Sequence, residues 1–254
     1  MHSFYRLSNI MNKLKTILIT GATSGIGCRI AENLNGKYQL FLSGRNETRL
    51  SEINKKLSHV LPYVTCDVSF ETDVEKLASE APQIDGLVYC GGIAPTIPVK
   101  YIRENDILKT FAVNFNGAVL VVAALLKQKK INPGSSLIFI SSEAVRHPFF
   151  GSTVYSASKA ALESFALTLS NELQSKKIRA NCISPTYVES PMLDQARNTM
   201  SGDFIAGMKK MHPEAFNTAD HIASMAAFLL SDESAAINGQ IIKAGRFNIN
   251  IPGL

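Results

Sequence analysis

Tyr155 and Lys159 stand four residues apart in Tyr155-Ser156-Ala157-Ser158-Lys159. They open a run that continues Ala160-Ala161-Leu162-Glu163-Ser164-Phe165-Ala166-Leu167 with helical character. Residues at i and i+4 share one helix face, a turn apart. A tyrosine of ordinary pKa near ~10 is a poor acid or base at neutral pH, whereas an adjacent ammonium favours the phenolate and lowers that value. The pair therefore predicts a proton-transfer group at Tyr155 with a depressed pKa. On an exposed helix the same two residues would be a snorkelling surface pair, so the surrounding chain decides between the readings.

The elements that must position the pair begin with Thr16-Ile17-Leu18-Ile19-Thr20, a buried strand that runs into Gly21-Ala22-Thr23-Ser24-Gly25-Ile26-Gly27 and then a helix. Gly21 ends the strand in a turn that a side chain would obstruct. Gly25 lets the backbone approach a pyrophosphate, and Gly27 allows close helix-to-strand packing. The helix that follows presents its N-terminus to the phosphates. Six further β-rich runs follow at 39–43, 60–65, 86–89, 136–141, 178–183 and 240–243, each separated by enough chain for a helix. This alternation predicts an α/β fold, a doubly wound parallel sheet of about seven strands in a single Rossmann-type domain over 14–254, with ligands at the carboxyl ends of the strands.

After the second strand comes Leu42-Ser43-Gly44-Arg45-Asn46. Recognition of an unphosphorylated ribose calls for Asp or Glu near this point. Gly44 and Arg45 stand there instead, and an arginine fork suits a 2′-phosphate, so NADP(H) is the expected cofactor.

The spacing TGxxxGxG at Thr20 to Gly27, together with YxxxK at Tyr155 to Lys159, resembles the short-chain dehydrogenase/reductase family, in particular its single-domain members similar to 3-oxoacyl-carrier-protein reductase. The resemblance covers roughly residues 14–245 and implies hydride transfer between NADP(H) and a carbonyl or secondary alcohol. It implies a catalytic set of Asn114, Ser142, Tyr155 and Lys159. Ser142 lies thirteen residues before the tyrosine and polarises the carbonyl, and Asn114 is the family's helix-interrupting asparagine, supporting a proton relay. The implied cofactor contacts are Gly21, Thr23, Ser24, Gly25, Ile26, Gly27, Arg45, Asp67, Val68, Gly91, Asn114, Tyr155, Lys159, Pro185, Val188 and Ser190. Among these, Asp67 matches the adenine position and Ser190 the carboxamide position.

The chain departs from the family at two places. Tyr89-Cys90-Gly91-Gly92 stands where Asn-Asn-Ala-Gly is usual, which puts local stability in question, and Thr186 replaces the glycine of a Pro-Gly turn. These departures motivate a rival reading, a nucleotide-binding sensor with little turnover. A nucleotide-sugar-modifying enzyme is a second rival, although such proteins usually carry TGxxGxxG. Glu143, Arg146 and His147 read as rim residues.

With 46% hydrophobic and 19% charged residues the chain can bury a large core. No continuous run reaches the about eighteen apolar residues of a membrane span. The net charge of +5 is scattered, with Lys127-Gln128-Lys129-Lys130 as its one cluster, at an expected helix end. Neither nucleic acid nor membrane is therefore expected as a partner. The four cysteines, Cys28, Cys66, Cys90 and Cys182, show no metal-ligand spacing and fit free thiols, so no metal and a cytoplasmic setting are expected. Residues 1–13 read as a disordered extension, dispensable up to Met11. The segment around 190–217 reads as a substrate lid, and its Met192, Leu193, Phe204, Ile205, Met208, Met211 and Phe216 either meet a partly apolar substrate or anchor the lid to the core. Small and apolar residues around the Tyr155 helix, with the family's habit of pairing it, predict a homo-oligomer, a dimer or a tetramer built on dimers.

Overall fold

The structure, a computed structural model, describes residues 14–58, 60–193, 207, 209–211 and 213–245. The expected extension at 1–13 and the lid residues Phe204, Ile205 and Met208 lie outside them.

Seven parallel strands form the sheet: β1 (Thr16–Thr20), β2 (Gln39–Gly44), β3 (Val64–Thr65), β4 (Ile84–Tyr89), β5 (Ile131–Ile140), β6 (Arg179–Pro185) and β9 (Ile241–Ala244). Their order is β3-β2-β1-β4-β5-β6-β9, and a separate short pair joins β7 (Tyr187–Val188) to β8 (Phe216–Asn217). The strand order reverses between β1 and β4, and this switch point opens the crevice that receives ligands in such sheets.

Period-two alternation divides each strand between two cores. Leu18, Leu87, Tyr89, Leu137 and Phe139 face the layer made by α3 (Glu71–Glu80), α5 (Gly117–Lys127) and α6 (Thr153–Glu172). Ile17, Ile19, Val88, Ile138 and Ile140 face α1 (Gly25–Leu34), α2 (Glu47–Lys56) and α7 (Ala219–Leu230). Both faces being covered explains why these strands read as nearly continuous apolar runs.

Two strand boundaries differ from expectation. The third strand, expected from Val60, pairs with β2 only at Val64 and Thr65, with an isolated bridge from Leu40 to Val60. Pro62 lies between, and its missing N–H interrupts the ladder. The fifth starts early, at Ile131, which pairs with Ile84 before an irregular stretch through Gly134 (φ +82°) restores register at Ser136.

The helical run from Glu104 to Lys127, whose most apolar 18-residue window has mean hydropathy 1.6, is long and apolar enough to cross a membrane by length and composition. Counting unbroken apolar residues missed it, because its polar side chains are interspersed. In the fold it lies on the sheet, burying Ala118, Val121, Val122 and Leu125. It is not one regular helix. α4 (Glu104–Phe111) passes into α5 through a π-helical turn at Ala112–Asn116.

Candidate active site

One cleft at the carboxyl ends of the strands gathers every expected site residue except Asn114. Its nucleotide end is the β1–α1 turn. Gly21 takes φ +65° and Gly25 φ +54°, a region that a side chain disfavours. A Cβ on Gly27 would sit 2.4 Å from the Gly21 carbonyl oxygen, so α1 packs against the turn as only glycine permits. Ser24 precedes α1 without capping it, and the first turn carries no acidic residue. The helix N-terminus therefore faces the cleft with free amides and positive dipole, a cradle that fits a pyrophosphate.

Arg45 lies at the same end, largely exposed, with its guanidinium 4.0 Å from the Asp67 carboxylate. A Cβ on Gly44 would come within 2.7 Å of Thr23 Cγ2. An acidic side chain there would collide with the turn, so this chain cannot place a carboxylate on a ribose from that position unless Thr23 moves. Asp67 accepts hydrogen bonds from the Ser69 amide (3.0 Å) and hydroxyl (2.7 Å), which fixes the wall beside Val68.

At the other end α6 brings Tyr155 and Lys159 to the cleft floor, 8% and 4% exposed. They are not a surface pair. Ser142 lies near enough to the Tyr155 hydroxyl to act on it, while its own oxygen accepts from the Ala144 amide at 3.2 Å. Lys159 Nζ donates to the Ile140 carbonyl at 2.7 Å.

These contacts correct the electrostatic expectation. Burial pushes the Tyr155 pKa above its ordinary value, with the Ser142 hydroxyl opposing, and burial lowers Lys159 to about 8. The ammonium is directed at a backbone carbonyl, and desolvation of the phenol outweighs the help that helix spacing promised.

Asn114 lies one layer behind the cleft, wholly buried in the π turn. Its amide donates to the Ile93 carbonyl (2.9 Å) and to Ser158 Oγ (2.9 Å), and its oxygen accepts from the Ile93 amide (2.8 Å). It thereby ties the chain leaving β4 to α6. A Cβ on Gly92 would stand 3.3 Å from Lys159 Nζ, so this glycine leaves the space over the lysine clear.

Glu143 is not a rim residue. It is 2% exposed and meets Arg146 at 3.0 Å and Lys243 at 3.7 Å, and Arg146 bridges onward to Glu163 at 2.8 Å. Glu163 also accepts from Ser141 at 2.8 Å. This network, buried at its carboxylates, pins the end of β5 to α6 and engages Ser141, leaving Ser142 to line the cleft with Tyr155. His147 does line the cleft, as expected of a rim residue.

Thr186 is more than a tolerated glycine replacement. Its hydroxyl donates to the Ala215 carbonyl at 2.6 Å and accepts from Asn217 Nδ2 at 2.8 Å, and its amide donates to the Ala244 carbonyl at 2.9 Å. It joins the end of β6 to β8 and β9. Ser190 caps locally, its oxygen accepting from the Leu193 amide at 3.4 Å.

Sequence reasoning missed Ala94, Thr96, Phe149 and Tyr187 as cleft walls. Proximity to Ser142 could have suggested Phe149. Ala94 and Thr96 carry no chemical signal.

The model of the short chain dehydrogenase family matches residues 15–201. The chain is 34% identical over 247 residues to L-xylulose reductase of Caenorhabditis elegans, covering 93% of this chain and 96% of that protein. It is 29% identical to a 3-oxoacyl-acyl-carrier-protein reductase of Rickettsia felis, covering 90% and 94%. Among solved structures, an actinorhodin polyketide ketoreductase with NADPH superposes with a TM-score of 0.83 at 25% identity, covering 91% of this chain and 96% of that one. The chain belongs to the short-chain dehydrogenase family, an oxidoreductase whose cleft serves hydride transfer between a nicotinamide dinucleotide and a carbonyl or secondary alcohol.

Proposed function

We propose that the protein is an NADPH-dependent carbonyl reductase in which Tyr155 is the proton donor. The observation that carries this reading is the meeting of Ser142 and buried Tyr155 and Lys159 at one end of a cleft whose other end holds Arg45 and a glycine turn. The dinucleotide, when bound, supplies hydride chemistry at its nicotinamide. The Gly21–Gly27 turn and the α1 N-terminus take the pyrophosphate. Arg45 takes the 2′-phosphate, and Pro185, Val188 and Ser190 wall the nicotinamide end. Ser142 donates to the substrate oxygen and Tyr155 delivers its proton there, two donors aimed where negative charge develops. Lys159 contacts the nicotinamide ribose, and Asn114 supports the proton relay by holding the chain above the lysine.

Phe149, Met192 and Leu193 line the cleft and favour a partly apolar carbonyl. The relatives' names, a sugar reductase and two ketoacyl or polyketide reductases, agree on carbonyl reduction and differ on the substrate. The departures at Tyr89 and Thr186 that motivated a sensor are each hydrogen-bonded into the fold, which removes that motive. We also place the protein in a cytoplasmic homo-oligomer. Ile107 and Leu108 on α4 and Leu167 on α6 are exposed on the helices the family pairs.

NADPH oxidation with a panel of ketones and aldehydes tests the function, and binding without oxidation across the panel would refute it. The 2′-phosphate reading has its own check. A charge-assisted contact contributes about 1.5–3 kcal/mol, roughly ten- to a hundredfold in affinity. Arg45→Ala should therefore erase most of a preference for NADPH over NADH measured by titration. Equal affinities in the unmodified protein would refute it.

A further inference from the structure

The geometry points to Tyr89 as a positioning residue for the reaction, one that holds the Asn114 turn in register with the catalytic helix. The inference rests on the roles proposed above for Asn114 and Tyr155. Tyr89 ends β4 with its ring completely buried, 6.5 Å from Phe139 between centroids. Its hydroxyl donates to the Val113 carbonyl at 2.6 Å, inside the π turn. The next residue is Asn114, whose amide donates to Ser158 Oγ at 2.9 Å, and that hydroxyl donates to the Tyr155 carbonyl at 2.7 Å. Three hydrogen bonds and the Val113–Asn114 peptide bond thus connect the end of the central strand through the π turn to the backbone of the proton donor.

Two glycines make room for this tie. A Cβ on Gly117 would stand 2.6 Å from the Tyr89 hydroxyl oxygen, and one on Gly91 would stand 2.9 Å from it. Glycine on both sides of the ring, where it meets the π turn and where the chain leaves β4, marks Tyr89 as part of a matched set. Burial holds the phenol's pKa far above its ordinary value, so it remains a donor at any working pH. A π turn is a single-residue irregularity, and its position along the helix decides where Asn114 points. The phenol fixes that position from the sheet, which is rigid.

Tyr89→Phe keeps the ring and removes the donor. In the full-length protein it should lower kcat roughly tenfold per NADPH-binding site, since small misplacements of catalytic groups cost up to ~10²-fold. KM and the NADPH dissociation constant should stay within about twofold. A purely structural loss would reduce the number of competent sites and leave kcat per site unchanged, and that result would overturn the proposal. Amide hydrogen exchange supplies an arm independent of turnover. The 112–118 amides should exchange faster in Tyr89→Phe while β1 and α1 keep their rates, and unchanged exchange at 112–118 would overturn the tie even if no substrate is found. Should Tyr89→Phe fail to fold, Gly117→Ala displaces the same hydroxyl from the other side. A Cβ there would also stand 2.8 Å from the Val68 carbonyl, so lowered kcat per site with unchanged NADPH affinity supports the proposal, and full kcat or a loss confined to NADPH affinity overturns it.

Discussion

Tyr155→Phe is expected to cut turnover by at least a hundredfold while NADPH binding persists. The substitution keeps the ring in its buried seat and removes only the hydroxyl that lies beside Ser142. Loss of a positioned proton donor costs about 10²–10⁴-fold. Burial holds the phenol protonated through neutral pH, so its resting form is the acid, the form that carbonyl reduction uses. Oxidation of an alcohol needs the phenolate, whose fraction climbs tenfold per pH unit while pH lies below the tyrosine pKa. The oxidative rate should therefore still be rising at pH 9, later than a depressed pKa would have it. Steady-state kinetics in both directions read this. Retention of more than about a tenth of the turnover would sink the assignment of Tyr155, since a true general acid contributes more.

How far the sequence revealed this site depends on the kind of signal. The glycine turn, the strands and the Tyr155–Lys159 face were legible because each rests on a local rule, backbone freedom at Gly21 and Gly27, period two in β1, period 3.6 in α6. The late start of β2–β3 pairing was legible in principle, from Pro62. The π turn was not, because an i→i+5 turn has no compositional mark, and only resemblance pointed to Asn114. Glu143 was misread because charge suggests a surface. Its partner Lys243 arrives from the last strand, 100 positions away in the chain, and no local pattern announces that meeting. The tyrosine pKa was misjudged for a related reason. Helix spacing tells that Lys159 shares a face with Tyr155, but not that its ammonium would find the Ile140 carbonyl or that both groups would be desolvated. Tyr89 and Thr186 looked like losses against the family pattern. Both turned out to carry hydrogen bonds that the usual residues would have to make in other ways.

Lys159→Ala should damage two quantities at once. It removes the cation proposed to meet the nicotinamide ribose, so NADPH affinity should weaken by roughly tenfold, the loss of one charge-assisted hydrogen bond of about 1.5 kcal/mol. It also removes the buried cation of the cleft floor, so turnover should fall at least as far as in Tyr155→Phe. The pH profile separates this role from simple packing. Burial lowers Lys159 to about 8, so the cation is present below that pH and is lost as pH rises through it. In the unmodified protein, kcat/KM for reduction, which reports groups of the free enzyme, should be level below pH 8 and fall toward tenfold per unit above it. Tyr155 does not produce that limb, because burial moves its own loss of a proton to higher pH. In Lys159→Ala the residual activity should have no break near pH 8. A mutant that keeps the break would assign it to another group, and a mutant with unweakened NADPH binding would remove Lys159 from the ribose.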